Sequence, residues 1–344
     1  MLSKDAALRA ASFLFSGAIA PHRSGTALRA AFFFVLLSVA SLTARGAEPR
    51  NFLFASSEDL PRIGALLDRP DIEGVQVVYT WKSLEHAPGE YDFSGIESDL
   101  AFLGKRGKKL FAQIQDRFFE VGARNVPAYL LTDPRYGGGL APQADNPGEN
   151  LPEGHGWVAM QWNPEVRARF QALLRALAAR LDGRVYGINL PESAADIDVK
   201  RDRTGFDCAR YLDAELENAR VAREAFRRSQ VVQYINFWPC DWGNEKGYMA
   251  RSFEFAAQHR IGVGGPDIVP NRPAQMKNSY AFFNRYKGKL SLVAMAVQEP
   301  TLTYRNPATG RKFTREEFVA FARDYLGVDI IFWSITSPWL RASQ

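Results

Sequence analysis

A chain of 344 residues with 46% apolar and 24% charged residues can bury a substantial core, which excludes a disordered or low-complexity protein. The length suits two average domains or one closed α/β barrel, which typically needs about 250 residues. The formal charge of +5 is a property of the N-terminus: residues 1–46 hold five basic side chains (Lys4, Arg9, Arg23, Arg29, Arg45) and one acid (Asp5), so their removal lowers it by four, to +1, and takes away the electrostatic basis for a nucleic-acid partner.

Residues 30–42 (AAFFFVLLSVASL) are a thirteen-residue apolar run behind Arg23 and Arg29. The run is short of the roughly 20 residues that span a bilayer. Ala44-Arg45-Gly46 then supplies small residues at the −3 and −1 positions of a signal-peptidase site. The expectation is a cleaved secretion signal over 1–46 and a secreted or periplasmic single domain over 47–344, with no stable membrane insertion after cleavage. An uncleaved membrane anchor is the alternative.

From residue 47 onward, short β-rich runs alternate with longer amphipathic stretches. The runs are 52–55 (FLFA), 75–80 (VQVVYT), 110–115 (LFAQIQ), 185–190 (VYGINL), 231–237 (VVQYINF), 261–263 (IGV), 292–297 (LVAMAV) and 330–333 (IIFW). Several are apolar throughout, as parallel strands covered on both faces are. Asn163-Pro164 reads as a cap and first helical residue ahead of 166–181, residues 212–228 as another helix, and Thr314 with Glu317 as a capping box. The polar stretch 133–156 reads as a long loop over the third strand, and the basic run 105–109 (KRGKK) as a solvated turn at the opposite end. Eight strands alternating with helices predict an α/β fold, the (β/α)8 TIM barrel. An open doubly wound sheet would alternate similarly, but no GxGxxG follows any strand.

In such a barrel the active site lies at the carboxyl ends of the strands. Taken in order, those ends carry Trp81, Asp116, Glu192, Asn236 with Trp238, Asp267, Glu299 and Trp333. Glu192 (INLPE) and Glu299 (VAMAVQE) each follow a strong apolar run, so rigid backbone positions both. Two converging carboxyl groups suit retaining cleavage of a glycosidic bond. One protonates the leaving oxygen while the other attacks the sugar from the opposite face, at a carboxyl separation of about 5–5.5 Å.

The sequence resembles clan A glycoside hydrolases. Residues 81–93 (WKSLEHAPGEYDF) are similar to a W-x-x-L-E-x-x-x-G-x-Y-D-F signature that follows strand two in several of those families. The strand-four and strand-seven glutamates and the Phe332-Trp333-Ser334 step after strand eight extend the likeness along the mature chain. The resemblance implies a retaining β-glycosidase acting on β-linked oligo- or polysaccharides, with Glu192 as acid/base, Glu299 as nucleophile and Trp333 stacked on the sugar. Trp238, Asn236, Trp81, Asp116, Asp267, Asn189 and His155 are the further candidates for substrate contact. Pro191 departs from the pattern, because most of these families place there an Asn that contacts the sugar 2-hydroxyl. The nearest Asn is Asn189, and Asn236 is the candidate replacement.

No cofactor is implied, since two carboxyl groups suffice for this chemistry. A metal site is not expected either. Cys208 and Cys240 are the only cysteines, without CxxC spacing or clustered His, and either pair or stay free. Glu85 reads as a brace for its loop. Two other functions fit the same pattern less well. One is a carbohydrate-binding barrel without catalysis, to which Pro191 points. The other is a lyase or aldolase barrel, which needs a Schiff-base Lys, a metal cluster or a phosphate loop at a strand end.

Overall fold

The eight apolar runs form eight parallel strands that pair in chain order and close on themselves. The computed structural model describes residues 47–120, 122–143 and 156–341, so the expected secretion signal and His155 lie outside the described residues. The strands are β1 (Arg50–Ala55), β2 (Ile72–Thr80), β3 (Lys109–Gln115), β4 (Gly187–Leu190), β5 (Gln230–Tyr234), β6 (Gly262–Gly265), β7 (Val293–Val297) and β8 (Ile330–Ser334). Closure comes from β8 pairing with β1, with Phe52 opposite Phe332. The helices that cover them are α1 (Gly64–Leu67), α2 (Ser94–Gly104), α3 (Pro164–Leu181), α4 (Cys208–Ala225), α5 (Tyr248–His259), α6 (Ser279–Tyr286), α7 (Arg315–Phe321) and α8 (Pro338–Arg341). This is the (β/α)8 barrel.

Local chemistry sets the boundaries. Asn163 caps α3 by accepting from the Glu165 amide, and Thr314 and Glu317 form the expected capping box of α7. Helix α4 begins earlier than residue 212 because Asp207 caps it, accepting from the Arg210 amide at 2.7 Å. It also ends before 228, because the Asp182 carboxylate accepts the amides of Arg227, Arg228 and Ser229 and so draws the chain out of the helix. Strand β5 stops at Tyr234 rather than Phe237 because Ser193 takes over the pairing. Its amide donates to the Tyr234 carbonyl at 2.9 Å, and its hydroxyl donates to the Phe237 carbonyl at 2.7 Å.

Inside the barrel, alternate residues of each strand point to the axis. Phe52, Phe111, Tyr186 and Phe332 fill its lower part, with ring centroids 5.3–6.5 Å apart. Glycine makes room for these rings: a Cβ on Gly187 would stand 2.6 Å from Phe111, and one on Gly74 2.5 Å from Phe52. Above the rings, Gln76 donates to the Tyr234 hydroxyl at 2.9 Å across the lumen. Asn189 is buried opposite Gln113 in the β3–β4 register. The long loop over β3 is organised by a three-stranded antiparallel sheet of Arg117–Phe118, Trp157–Ala159 and Leu140–Pro142.

Candidate active site

Glu192 stands two residues beyond β4, at the mouth of the barrel. Asn236, beyond β5, donates from Nδ2 to Glu192 Oε2 at 3.4 Å. Protein packs closely round the carboxyl, while the side chain keeps partial contact with solvent. Burial pushes its pKa from 4.5 up to about 7. The Arg117 cation and the Asn236 hydrogen bond work against that rise, and the charges of Asp267 and Asp196 add to it. A carboxyl held near neutrality can give up and take back a proton at ordinary pH.

Asp267 ties this side of the mouth to the segment after β7. Its Oδ1 accepts from the Thr301 hydroxyl at 2.5 Å, and it forms an antiparallel bridge with Val297. Glu299, two residues past β7, is exposed and accepts hydrogen bonds from the hydroxyls of Ser334 and Thr336. Ser334 lies on the same face of β8 as the inward Phe332, so Glu299 is anchored over the barrel axis. Glu192, Asn236, Asp267 and Glu299 thus ring one mouth.

Behind Glu192 lies a buried charge network. Arg117 is fully buried and donates to Asp116 Oδ1 at 3.1 Å, Glu215 Oε1 at 3.1 Å, the Tyr211 hydroxyl at 2.8 Å and the Ala194 carbonyl at 2.7 Å. The Tyr211 hydroxyl in turn donates to the Ser193 carbonyl at 3.2 Å. Burial works against the guanidinium charge, but Tyr211, Asp116, Glu215 and Glu192 outweigh it and hold the cation firmly. The backbone immediately after Glu192 is therefore pinned from below by a charge that also restrains the glutamate's pKa.

No protein-family model and no curated protein matches the chain. Solved structures do. A thermostable mutant of a xylanase from Cellvibrio japonicus superposes with a TM-score of 0.52 at 12% identity, over 84% of this chain and 87% of that one. Endo-glycoceramidase II from Rhodococcus sp. gives 0.50 at 14% identity, over 85% and 74%. The beta-galactosidase from the psychrophilic Marinomonas ef1 gives 0.50 at 10% identity, over 83% of this chain and 53% of that one, so the chain spans about half of that protein. What they share is the barrel.

Within that barrel, several expected contacts fall elsewhere. Trp333 is buried on the outer face of β8, against Phe318 and Trp339, with Nε1 donating to Asn51 at 2.8 Å. It offers no ring face to the mouth. Trp81 is likewise buried, packed on Phe170 and donating to Glu85 Oε2 at 2.8 Å. Glu85 also accepts from Arg169 and from the Gly89 amide, so the 81–93 signature builds a brace, with Gly89 turning its hairpin at φ +84°. Asp116 faces the buried Arg117 and Gln161 rather than the cleft. Trp238 is buried against Tyr211. Asn189 is enclosed within the lumen below Glu192, with neither side-chain atom paired to another protein group.

The sequence reading missed Arg117, Glu215 and Ser334. An Asp-Arg pair closing a strand, with a Glu on the inner face of a later helix, was the available signal for the first two. The cysteines, left open above, form a Cys208–Cys240 disulfide that ties the loop after β5 to the start of α4. Among the described residues, no group of three or more His, Cys, Asp and Glu is placed to hold a metal ion.

Proposed function

We propose that the chain is a retaining glycoside hydrolase for β-linked oligo- or polysaccharides. The observation that carries this is Glu192: a carboxyl at the barrel mouth, raised to about 7, on the same rim as the hydroxyl-anchored Glu299. The names of the barrels it resembles, a xylanase, a beta-galactosidase and an endo-glycoceramidase, support the same class of reaction. In the first step the Glu299 carboxylate bonds to the anomeric carbon while the glycosidic bond breaks and its oxygen takes the Glu192 proton. In the second, Glu192 accepts a proton from water, the water oxygen bonds to the anomeric carbon, and Glu299 leaves. Asn236 and Asp267 contact the sugar hydroxyls. We further infer secretion or periplasmic export through residues 1–46, so that the exported protein begins at Ala47; N-terminal sequencing of that protein checks this.

The direct test is intact-protein mass after incubation with a panel of activated 2-deoxy-2-fluoro β-glycosides. One adduct, mapped to Glu299 and absent in Glu299→Gln, is the expected result. No adduct with any sugar, alongside glycan binding by calorimetry, would establish the second reading, a non-catalytic carbohydrate-binding barrel. Pro191, in place of the Asn that the resemblance leads one to expect, is the feature that favours it.

A further inference from the structure

Three segments meet at the amino-terminal ends of the strands, on the face of the barrel opposite the mouth. They are the turn from α4 into β5, the turn from α5 into β6, and Ser291 just ahead of β7. Together they line a cavity of ≈ 460 Å³ with Arg223, Arg227, Arg228, His259 and Arg260, and no Asp or Glu among the described residues lines it. One carboxylate stands nearby and is already committed. Asp182 accepts the amides of Arg227, Arg228 and Ser229. It also holds the Arg228 guanidinium: its carbonyl accepts from Nη2 at 2.5 Å, and its carboxylate stands 3.6 Å from Nε. Arg223, Arg227 and Arg260 donate no side-chain hydrogen bond and close no ion pair among the described residues.

Other cations on this face are compensated. Arg228 also lines a neighbouring cavity of ≈ 370 Å³. There Lys109 pairs with Glu73 at 2.8 Å, Arg184 pairs with Glu97 at 2.7 Å, and Lys108 donates to the carbonyls of Arg69 and Ile72. In the first cavity positive charge accumulates instead. Burial lowers the Arg223 pKa from its ordinary value, the Asp182 charge opposes that, and the Arg260 cation adds to it, with a lowered value as the outcome. Arg260 itself closes α5 at φ +55°, a left-handed position where glycine is the unstrained choice. An arginine there keeps a long cation at the cavity at some cost to the backbone.

We propose that this cavity is an anion site for a phosphate group, carried on a soluble ester or on a lipid headgroup and held by Arg223, Arg227 and Arg260. Guanidinium groups arriving from two turns suit a tetrahedral anion better than a flat carboxylate, because oxygens outside one plane can each accept a charge-assisted hydrogen bond. Ser291, exposed at the edge, adds a neutral hydroxyl. The site lies at the opposite end of the barrel from Glu192 and Glu299, so it does not rest on the reaction at the mouth. An occupant that belongs to a surface would leave that mouth facing away from it.

Two binding measurements at low ionic strength, where charge is least screened, test the site. Calorimetry with inorganic phosphate and glycerol 3-phosphate, beside acetate, addresses the soluble source. Cosedimentation with phosphatidylcholine vesicles, with and without phosphatidic acid, addresses the lipid one. The protein should bind in at least one arm, and phosphate should bind more tightly than acetate. Arg260→Gly suits the left-handed backbone, so it removes the cation without endangering the fold, and Arg227→Gln alters an exposed side chain. Each should weaken binding about fivefold to tenfold, and the two together more. Arg175→Gln, an exposed arginine of α3 outside the cavity, should change it by less than about twofold. Binding of the soluble phosphates without the vesicles assigns the site to free esters, and binding that requires phosphatidic acid in the vesicle assigns it to a headgroup. No binding in either arm, acetate bound as tightly as phosphate, or equal effects of Arg175→Gln and the cavity variants would overturn the proposal.

Discussion

Replacing Glu192 with Gln keeps the shape of the side chain and its contact with Asn236 but removes its titration. In the folded protein the wild-type carboxyl holds its proton up to about pH 7, against 4.5 for an ordinary glutamate, with burial as the main cause. A folded pKa above the unfolded one means that the native state binds the proton more tightly, so wild-type stability falls as pH rises from about 4.5 to about 7 and then levels off. At about 1.4 kcal/mol per pH decade, the full difference is worth about 3 kcal/mol, and the partial solvent contact of Glu192 reduces it to about 1–2 kcal/mol. The Glu192→Gln variant lacks this contribution to the slope. Urea denaturation of both proteins between pH 4.5 and pH 8 should therefore show the variant gaining about 1–2 kcal/mol on wild type across the interval. A stability difference that stays flat with pH would refute the account of Glu192.

Activity should report the same proton: kcat/KM for glycosides with poor leaving groups falls above about pH 7, and Glu192→Ala abolishes that limb while sparing dinitrophenyl glycosides, which leave without an acid. Arg117→Met strands Asp116 and Glu215 in the interior without their cation. It should cost about 3–5 kcal/mol in denaturant titrations, a far larger loss than any surface ion pair would give. Breaking the disulfide with Cys208→Ser and Cys240→Ser should lower stability by about 2–4 kcal/mol for the 32-residue separation that it closes, as calorimetry would show. Trp333→Phe loses the hydrogen bond to Asn51 and part of an outer-layer ring. It should lower the melting temperature while leaving KM unchanged, whereas a ring stacked on substrate would raise KM.

The barrel was legible in the chain because eight β-rich runs alternated with capped helices, and the position of Glu192 and Glu299 just past two strands was legible because each follows an apolar run. Which way the neighbouring side chains point was not. A parallel strand is covered on both faces, so its hydrophobicity does not alternate and the inward positions carry no mark. On β8 the inward residues are Ile330, Phe332 and Ser334, which turns Trp333 outward and makes the modest Ser334 the partner of Glu299. On β3, Phe111 faces in, and Gln113 and Gln115 follow it at the same parity, which sends Asp116 outward to Arg117. Arg117 and Glu215 are 98 residues apart, and only the docking of α4 against the end of β3 brings them together.

The rings of Phe52, Phe111, Tyr186 and Phe332 give the barrel a stopper, and that decides the traffic through the mouth. The lumen is a blind well with one doorway. Whatever enters must withdraw by the way it came, so a long polymer can lie across the rim but cannot thread the barrel. Two molecules bound in the well at once would have to share that doorway.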